Sequence, residues 1–288
     1  MTQIATGLHE LRQQHPEWAP WLAVVQVVIS ELADAKWDAA VPSYPASQPM
    51  QVPLLADAKL SLPVNLLRPM LTHLIRAASN SGSPAMSTLS ALVDREVDML
   101  TLFPAALRQD HEALKKIAAA SSVDAGAFEA IAALIPAPFL QACHRAWENS
   151  LAPGRTENYC PVCGSWPAFA EVRGIERSRY LRCGRCGAGW QAHGLSCPYC
   201  GMTDHKELLS LVPENSALNA VIDACKRCLG YLKTFTKLQG SKPANMLLDD
   251  LASVELDIAG AEQGYKRPQG AGYFLNVSVA ENGARRAR

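Results

Sequence analysis

After Pro20, the apolar residues Leu22, Val25, Ile29 and Leu32 recur at steps of three and four, which lines them along one helical face. Leu89, Leu92, Val93, Val97 and Leu100 repeat the pattern, with Asp94, Glu96 and Asp98 largely off that face. Leu114 and Ile117, then Phe128, Ile131, Leu134 and Ile135, predict two further helices. Pro- and Ser-rich breaks separate them: VPSYPASQP (41–49), SNSGSP (79–84) and SSVDAG (121–126). Residues 1–150 therefore read as a helical bundle whose apolar stripes are its core.

Helical periodicity stops near LAPGRTEN (151–158). Beyond it the chain is rich in Gly, Cys and aromatic residues, and PAFAEV (167–172) and SRYLRC (178–183) predict short strands. From Ala244 the helical spacing returns. Leu247, Leu251, Val254 and Ile258 share a face, predicting one closing helix over 244–263. The last residues, NVSVAENGARRAR, predict a frayed tail. The expected organisation is a helical domain (1–150), two small cysteine modules (151–195 and 196–240), and a closing helix with tail (241–288).

Charge narrows the choice of partners. Lys+Arg and Asp+Glu both number 27, so the formal net charge is zero, which argues against nucleic acid or an anionic membrane as partner. The longest apolar stretch, Trp21–Ile29, is interrupted by Gln26 and is far shorter than the roughly 20 residues that span a bilayer. The N-terminus lacks a basic segment followed by an apolar one. A cytoplasmic location without membrane insertion is expected, and there thiols stay reduced and ordered cysteines serve metals rather than disulfides.

Eight of the nine cysteines form four Cys-x-x-Cys pairs: Cys160/Cys163, Cys183/Cys186, Cys197/Cys200 and Cys225/Cys228. Two intervening residues let a tight turn aim both sulfurs at one point, and two such turns make the tetrahedron of thiolates suited to zinc or mononuclear iron. Glycine follows the second cysteine in three turns (Gly164, Gly187, Gly201), whereas the fourth has Leu229 before Gly230. Nineteen residues separate Cys163 from Cys183 and twenty-four separate Cys200 from Cys225, but only ten separate Cys186 from Cys197. Sequential pairing is favoured: Cys160, Cys163, Cys183 and Cys186 on one ion, and Cys197, Cys200, Cys225 and Cys228 on a second.

Other readings are weaker. A single redox Cys-x-x-Cys needs a βαβ context that the pattern lacks, and four disulfides would suit a secreted chain. Arg173, Arg177, Arg179, Arg182 and Arg185 lie in sequence beside the first quartet and can offset thiolate charge. They could also mark a nucleic-acid face, but with eight thiolates and two divalent ions the module is near neutral. Trp166, Trp190 and Tyr199 read as small cores, Cys143 as a buried helical residue, and His193 as a solvated loop residue. No phosphate loop, hydrolase elbow or dinucleotide motif is present, so no catalytic residues are assigned.

The strings YCPVCGSWP (159–167), RYLRCGRCGAGW (179–190), SCPYCG (196–201), ACKRCLGYLKTF (224–235) and DDLASVELDIAGAEQGYKR (249–267) resemble the FdhE family of formate dehydrogenase accessory proteins. The resemblance covers the chain from about residue 150 onward. It implies an α+β multidomain fold, with an N-terminal α-helical domain, two rubredoxin-like (zinc-ribbon-like) metal-binding modules and a C-terminal helix. It also implies a non-enzymatic assembly factor that engages the catalytic subunit of formate dehydrogenase. The eight paired cysteines become ligands of two mononuclear ions, iron favoured over zinc. A rubredoxin-like electron-transfer or iron-handling protein is the first alternative, and a zinc-ribbon nucleic-acid-binding protein the second.

Overall fold

A computed structural model describes residues 3–93, 95–151, 154–192, 194–212 and 219–281. Chain contacts divide it into two units. One comprises Met1–Tyr44, Asp57–Ala146 and Leu275–Arg288; the other comprises Pro45–Ala56 and Trp147–Phe274.

The first unit is mostly helical: α1 (Gln3–Gln14), α2 (Ala19–Leu32), α3 (Val64–Ser79), α4 (Pro84–Ser87), α5 (Met99–Arg108), α6 (His111–Ala120), α7 (Ala125–Ala132) and most of α8 (Ala137–Trp147). On α2 the buried side chains are Leu22, Val24, Val25, Val28 and Leu32. Burying each contributes about 1.5–3 kcal/mol before entropy is counted. Asp98, Asp110 and Asp124 accept hydrogen bonds from Leu100 N, Ala113 N and Ala127 N, and so start α5, α6 and α7. The continuous helix expected over 89–100 is therefore broken. A short 3-10 turn covers Thr88–Leu92, α5 begins anew behind the Asp98 cap, and Leu100 is exposed. Asp94 lies outside the described residues.

Two strands depart from the all-helical expectation. β1 (Lys59–Leu62) pairs in parallel with Ser278–Glu281, in register Lys59↔Ser278 through Leu62↔Glu281. Part of the expected frayed tail is thus a strand, held further by Arg108, whose guanidinium donates to Leu275 O and Val277 O. Residues 282–288 lie outside the described residues. Among the described residues, one helical run, Ala125–Ser150, is long and apolar enough to cross a membrane, and 67% of its apolar window is buried within the protein. Cys143 sits on α8, fully buried.

In the second unit, six strands form one sheet in the order β4-β3-β2-β7-β6-β5. They are β2 (Phe169–Arg173), β3 (Ser178–Arg182), β4 (Gly189–Gln191), β5 (Leu208–Leu211), β6 (Ala220–Cys225) and β7 (Tyr231–Lys237). β2–β4 pair antiparallel, as do β5–β7, and the parallel pair β2–β7 joins the two groups. The closing helix is two helices, α9 (Met246–Leu251) and α10 (Val254–Glu262). Ser253 Oγ donates to Asp249 O and Asp250 O, a local bond that competes with helix continuation. The residues turned to the sheet are Met246 and Leu256, packed with Phe169, Ile222, Tyr231 and Phe235. Ile258, expected on the buried face, is exposed.

Candidate metal centres

Each Cys-x-x-Cys pair sits in the same turn. The N–H of the first cysteine donates to the carbonyl five residues on, in Cys160→Ser165, Cys183→Ala188, Cys197→Met202 and Cys225→Gly230, at 2.8–2.9 Å. The residue after the second cysteine takes a left-handed conformation: Gly164 (φ 69°), Gly187 (φ 76°), Gly201 (φ 72°) and Leu229 (φ 56°). The fourth turn therefore keeps the geometry of the others despite its leucine. Such turns point backbone N–H groups at sulfur: Val162 N lies 3.4 Å from Cys160 Sγ, and Gly230 N lies 3.4 Å from Cys228 Sγ.

The four turns converge as two quartets. Cys160, Cys163, Cys183 and Cys186 bring their sulfurs within 4.8 Å of one another, and so do Cys197, Cys200, Cys225 and Cys228. Individual separations are 3.4 Å (Cys160–Cys186), 3.6 Å (Cys163–Cys183) and 4.0 Å (Cys163–Cys186) in the first. In the second, Cys197–Cys228 and Cys200–Cys225 are both 3.7 Å. A regular tetrahedron with metal–sulfur bonds of 2.3 Å has edges of about 3.8 Å. The donor set and its spacing therefore fit a single four-coordinate ion in each quartet.

Electrostatics point the same way. In the first quartet, burial pushes the Cys160 and Cys186 thiols well above their ordinary range. Cys163 falls well below it because the other three thiols donate to it, and Arg185 adds attraction. A dry cluster of four sulfurs cannot ionise as a whole without a cation at its centre. Arg185 also reaches Ser165 Oγ (3.3 Å), which in turn lies 3.3 Å from Cys163 Sγ. Arg182 binds Glu171 (3.0 Å) and Gly187 O (3.0 Å). Of the other arginines expected beside this quartet, Arg173 is paired with Glu171, Arg179 with Asp223, and Arg177 occupies a left-handed turn position.

The quartets differ in cover. All four sulfur residues of the first are buried, whereas in the second Cys200 is exposed and Cys228 is half-buried. Segment 45–56, whose first residues fall in the break expected over 41–49, lies over the first. Leu54 N and Leu55 N donate to Pro161 O (2.8 Å) and Val162 O (3.1 Å). Arg155 donates to Met50 O and Gln51 O, and Tyr159 Oη to Gln51 O. Tyr273 N closes the far side on Gly164 O (2.9 Å). Nothing in the local pattern signals these contacts, because they join positions about a hundred residues apart.

Of the three aromatic residues expected in small cores, Trp190 is buried, and Trp166 and Tyr199 are half-buried. Trp166 and Tyr199 meet edge-on at 5.7 Å, and Tyr199 Oη donates to Tyr231 O. His193 lies outside the described residues.

Residues 195–275 match the family model described as FdhE, C-terminal domain. A Protein FdhE homolog of Pseudomonas aeruginosa is 36% identical over 175 residues, covering 56% of this chain and 56% of that protein. A Protein FdhE of Escherichia coli is 34% identical over 116 residues, covering 40% of this chain and 37% of that protein. The matched stretches thus span about half or less of these relatives' length. The crystal structure of the FdhE protein from Pseudomonas aeruginosa resembles this chain with a TM-score of 0.57 at 23% identity, covering 94% of this chain and 93% of that one, a likeness of fold.

Proposed function

We propose, on the premise that the chain belongs to the FdhE family, that it is a cytoplasmic maturation factor for formate dehydrogenase. It binds the enzyme's catalytic subunit through protein–protein contacts, releases it, and catalyses no reaction of its own. Cys160, Cys163, Cys183 and Cys186 hold one metal ion; Cys197, Cys200, Cys225 and Cys228 hold the other, and iron is the favoured occupant. The division into 1–150, 151–195, 196–240 and 241–288 belongs to this reading, each cysteine module gaining local stability from its own ion.

The observation that carries the proposal is the pair of four-sulfur clusters at tetrahedral spacing, the second of which lies within the 195–275 stretch that matches the FdhE C-terminal domain. Thiolate tetrahedra of this kind bind metal and stabilise a local surface, which suits recognition. An assembly factor must let go of its client, so a dissociation constant of micromolar order, about −8 kcal/mol, is expected.

The test is co-purification of the catalytic subunit from cells making both proteins, together with formate dehydrogenase activity in a strain lacking this chain. A reversible complex and lost activity are expected. Normal activity without the chain, in an organism with no second copy, would contradict the assignment.

A further inference from the structure

We propose that the two centres have different duties: the first is a sealed fastener that keeps its ion, and the second exchanges its ion with solution through Cys200 and Cys228. The inference rests on the reading that both quartets bind metal. Its ground is the difference in access between two otherwise matching sulfur tetrahedra.

An ion held by four thiolates leaves stepwise. A competing ligand must touch the ion, or a proton must reach a sulfur, before each metal–sulfur bond gives way. At the first centre every route is covered. Cys160 and Cys183 are 0% exposed, Cys163 is 1% and Cys186 is 0%. Segment 45–56 is bonded to the backbone of the first turn through Leu54 N and Leu55 N, and Arg155 holds that segment by the carbonyls of Met50 and Gln51. On the second turn, Pro243 lies so close to Gly187 that a Cβ there would be 2.4 Å from it. Exchange at this centre must wait for a local opening that breaks several of these contacts together.

The second centre needs no such opening. Cys200 is partly exposed and Cys228 is half-buried. On its other side, Cys197 and Cys225 border a cavity of 90 Å³, lined also by Leu195, Tyr199, Leu208 and Asp223. A small chelator or thiol can reach the ion while the fold stays intact. With all eight cysteines held as thiolates, solvent access separates them in reactivity, so Cys200 and Cys228 are also the sulfurs that modify first.

The test uses the full chain reconstituted anaerobically with two equivalents of zinc and challenged with 4-(2-pyridylazo)resorcinol, whose colour reports released ion. Release should be biphasic, one equivalent leaving about tenfold or more faster than the other, as expected when one site opens freely and the other only by local unfolding. In parallel, iodoacetamide labelling followed by mass spectrometry should find Cys200 and Cys228 alkylated before any cysteine of the first quartet. Arg155→Ala, which touches no ligand, should accelerate only the slow phase. Release of both ions in one phase, first labelling at Cys160, Cys163, Cys183 or Cys186, or a slow phase indifferent to Arg155→Ala would overturn the inference while leaving two bound ions in place. A folded chain that takes up fewer than two ions would instead overturn the metal reading and the inference with it.

Discussion

Leu229 occupies the one knuckle position of the four where a side chain stands in a left-handed conformation, at φ 56°. For an L-residue other than glycine this conformation costs about 1–2 kcal/mol. Leu229 is 47% exposed, so little packing offsets that cost. Leu229→Gly should therefore raise stability by about 1 kcal/mol, read as a higher urea midpoint of the metal-loaded protein. A lower midpoint would show that the side chain contributes more than its backbone strain costs. Gly187 is the opposite case: its φ is 76°, and an added Cβ would lie 2.4 Å from Pro243 Cβ. Gly187→Ala should destabilise by about 3 kcal/mol or more. The glycines of three turns were legible because the turn itself demands them. The equivalent role of Leu229 was not, since residue type alone does not disclose a strained dihedral angle. The uneven burial of the two quartets was also invisible, because it depends on segments 45–56 and 270–273 rather than on the cysteine motifs.

At the scale of elements, the GYLK string and the acidic run after it fasten α9 and α10 to the sheet. Lys233 on β7 is fully buried and pairs with Asp250 Oδ1 (2.7 Å) and Asp257 Oδ2 (2.9 Å). Arg267 bridges the same two carboxylates at 2.5 and 2.7 Å. Arg267 still neutralises both half-buried carboxylates when Lys233 is lost, so Lys233→Ala, which empties a buried side-chain position and removes its hydrogen bonds, should cost about 1–3 kcal/mol in unfolding free energy. The network also sets a pH dependence. Burial alone would raise the Asp250 carboxyl, but Arg267 and Lys233 outweigh it and hold the group below its ordinary 3.8. Its contribution is therefore complete above that ordinary value and is lost as pH falls through the lower folded value. The difference in melting temperature between wild type and Asp250→Asn should hold steady near neutrality and shrink below about pH 4. A difference unchanged well into acid would remove Asp250 from the account. Sequence periodicity placed the strands around 167–183 and the helices α2, α6 and α7, all of which carry strong local patterns. It failed where a short-range bond or a distant partner decided the outcome: the Asp98 cap that splits 89–100, the Ser253 bonds that split 244–263, and the pairing of Lys59–Leu62 with Ser278–Glu281.

At the scale of the molecule, the two cysteine groups share one sheet, because β2 and β7 run side by side in parallel from Phe169↔Lys233 to Arg173↔Lys237. Tyr199, from the third turn, donates to carbonyls on both sides of that join, Pro167 O and Tyr231 O. The pairing of cysteines inferred from spacing requires each quartet to lose its ion as a unit, while the sheet limits how far the damage spreads. Cys160→Ser and Cys183→Ser should thus give the same defect, and Cys197→Ser and Cys225→Ser another. The most direct measurement of the central claim is the metal content, by native mass spectrometry, of anaerobically purified wild type beside these four variants. The account predicts two ions in the wild type and one in each variant, with the ion lost from the quartet that carries the substitution. A folded wild type holding a single ion, or a Cys183→Ser protein that empties the quartet of Cys197 while the quartet of Cys160 stays filled, would contradict it.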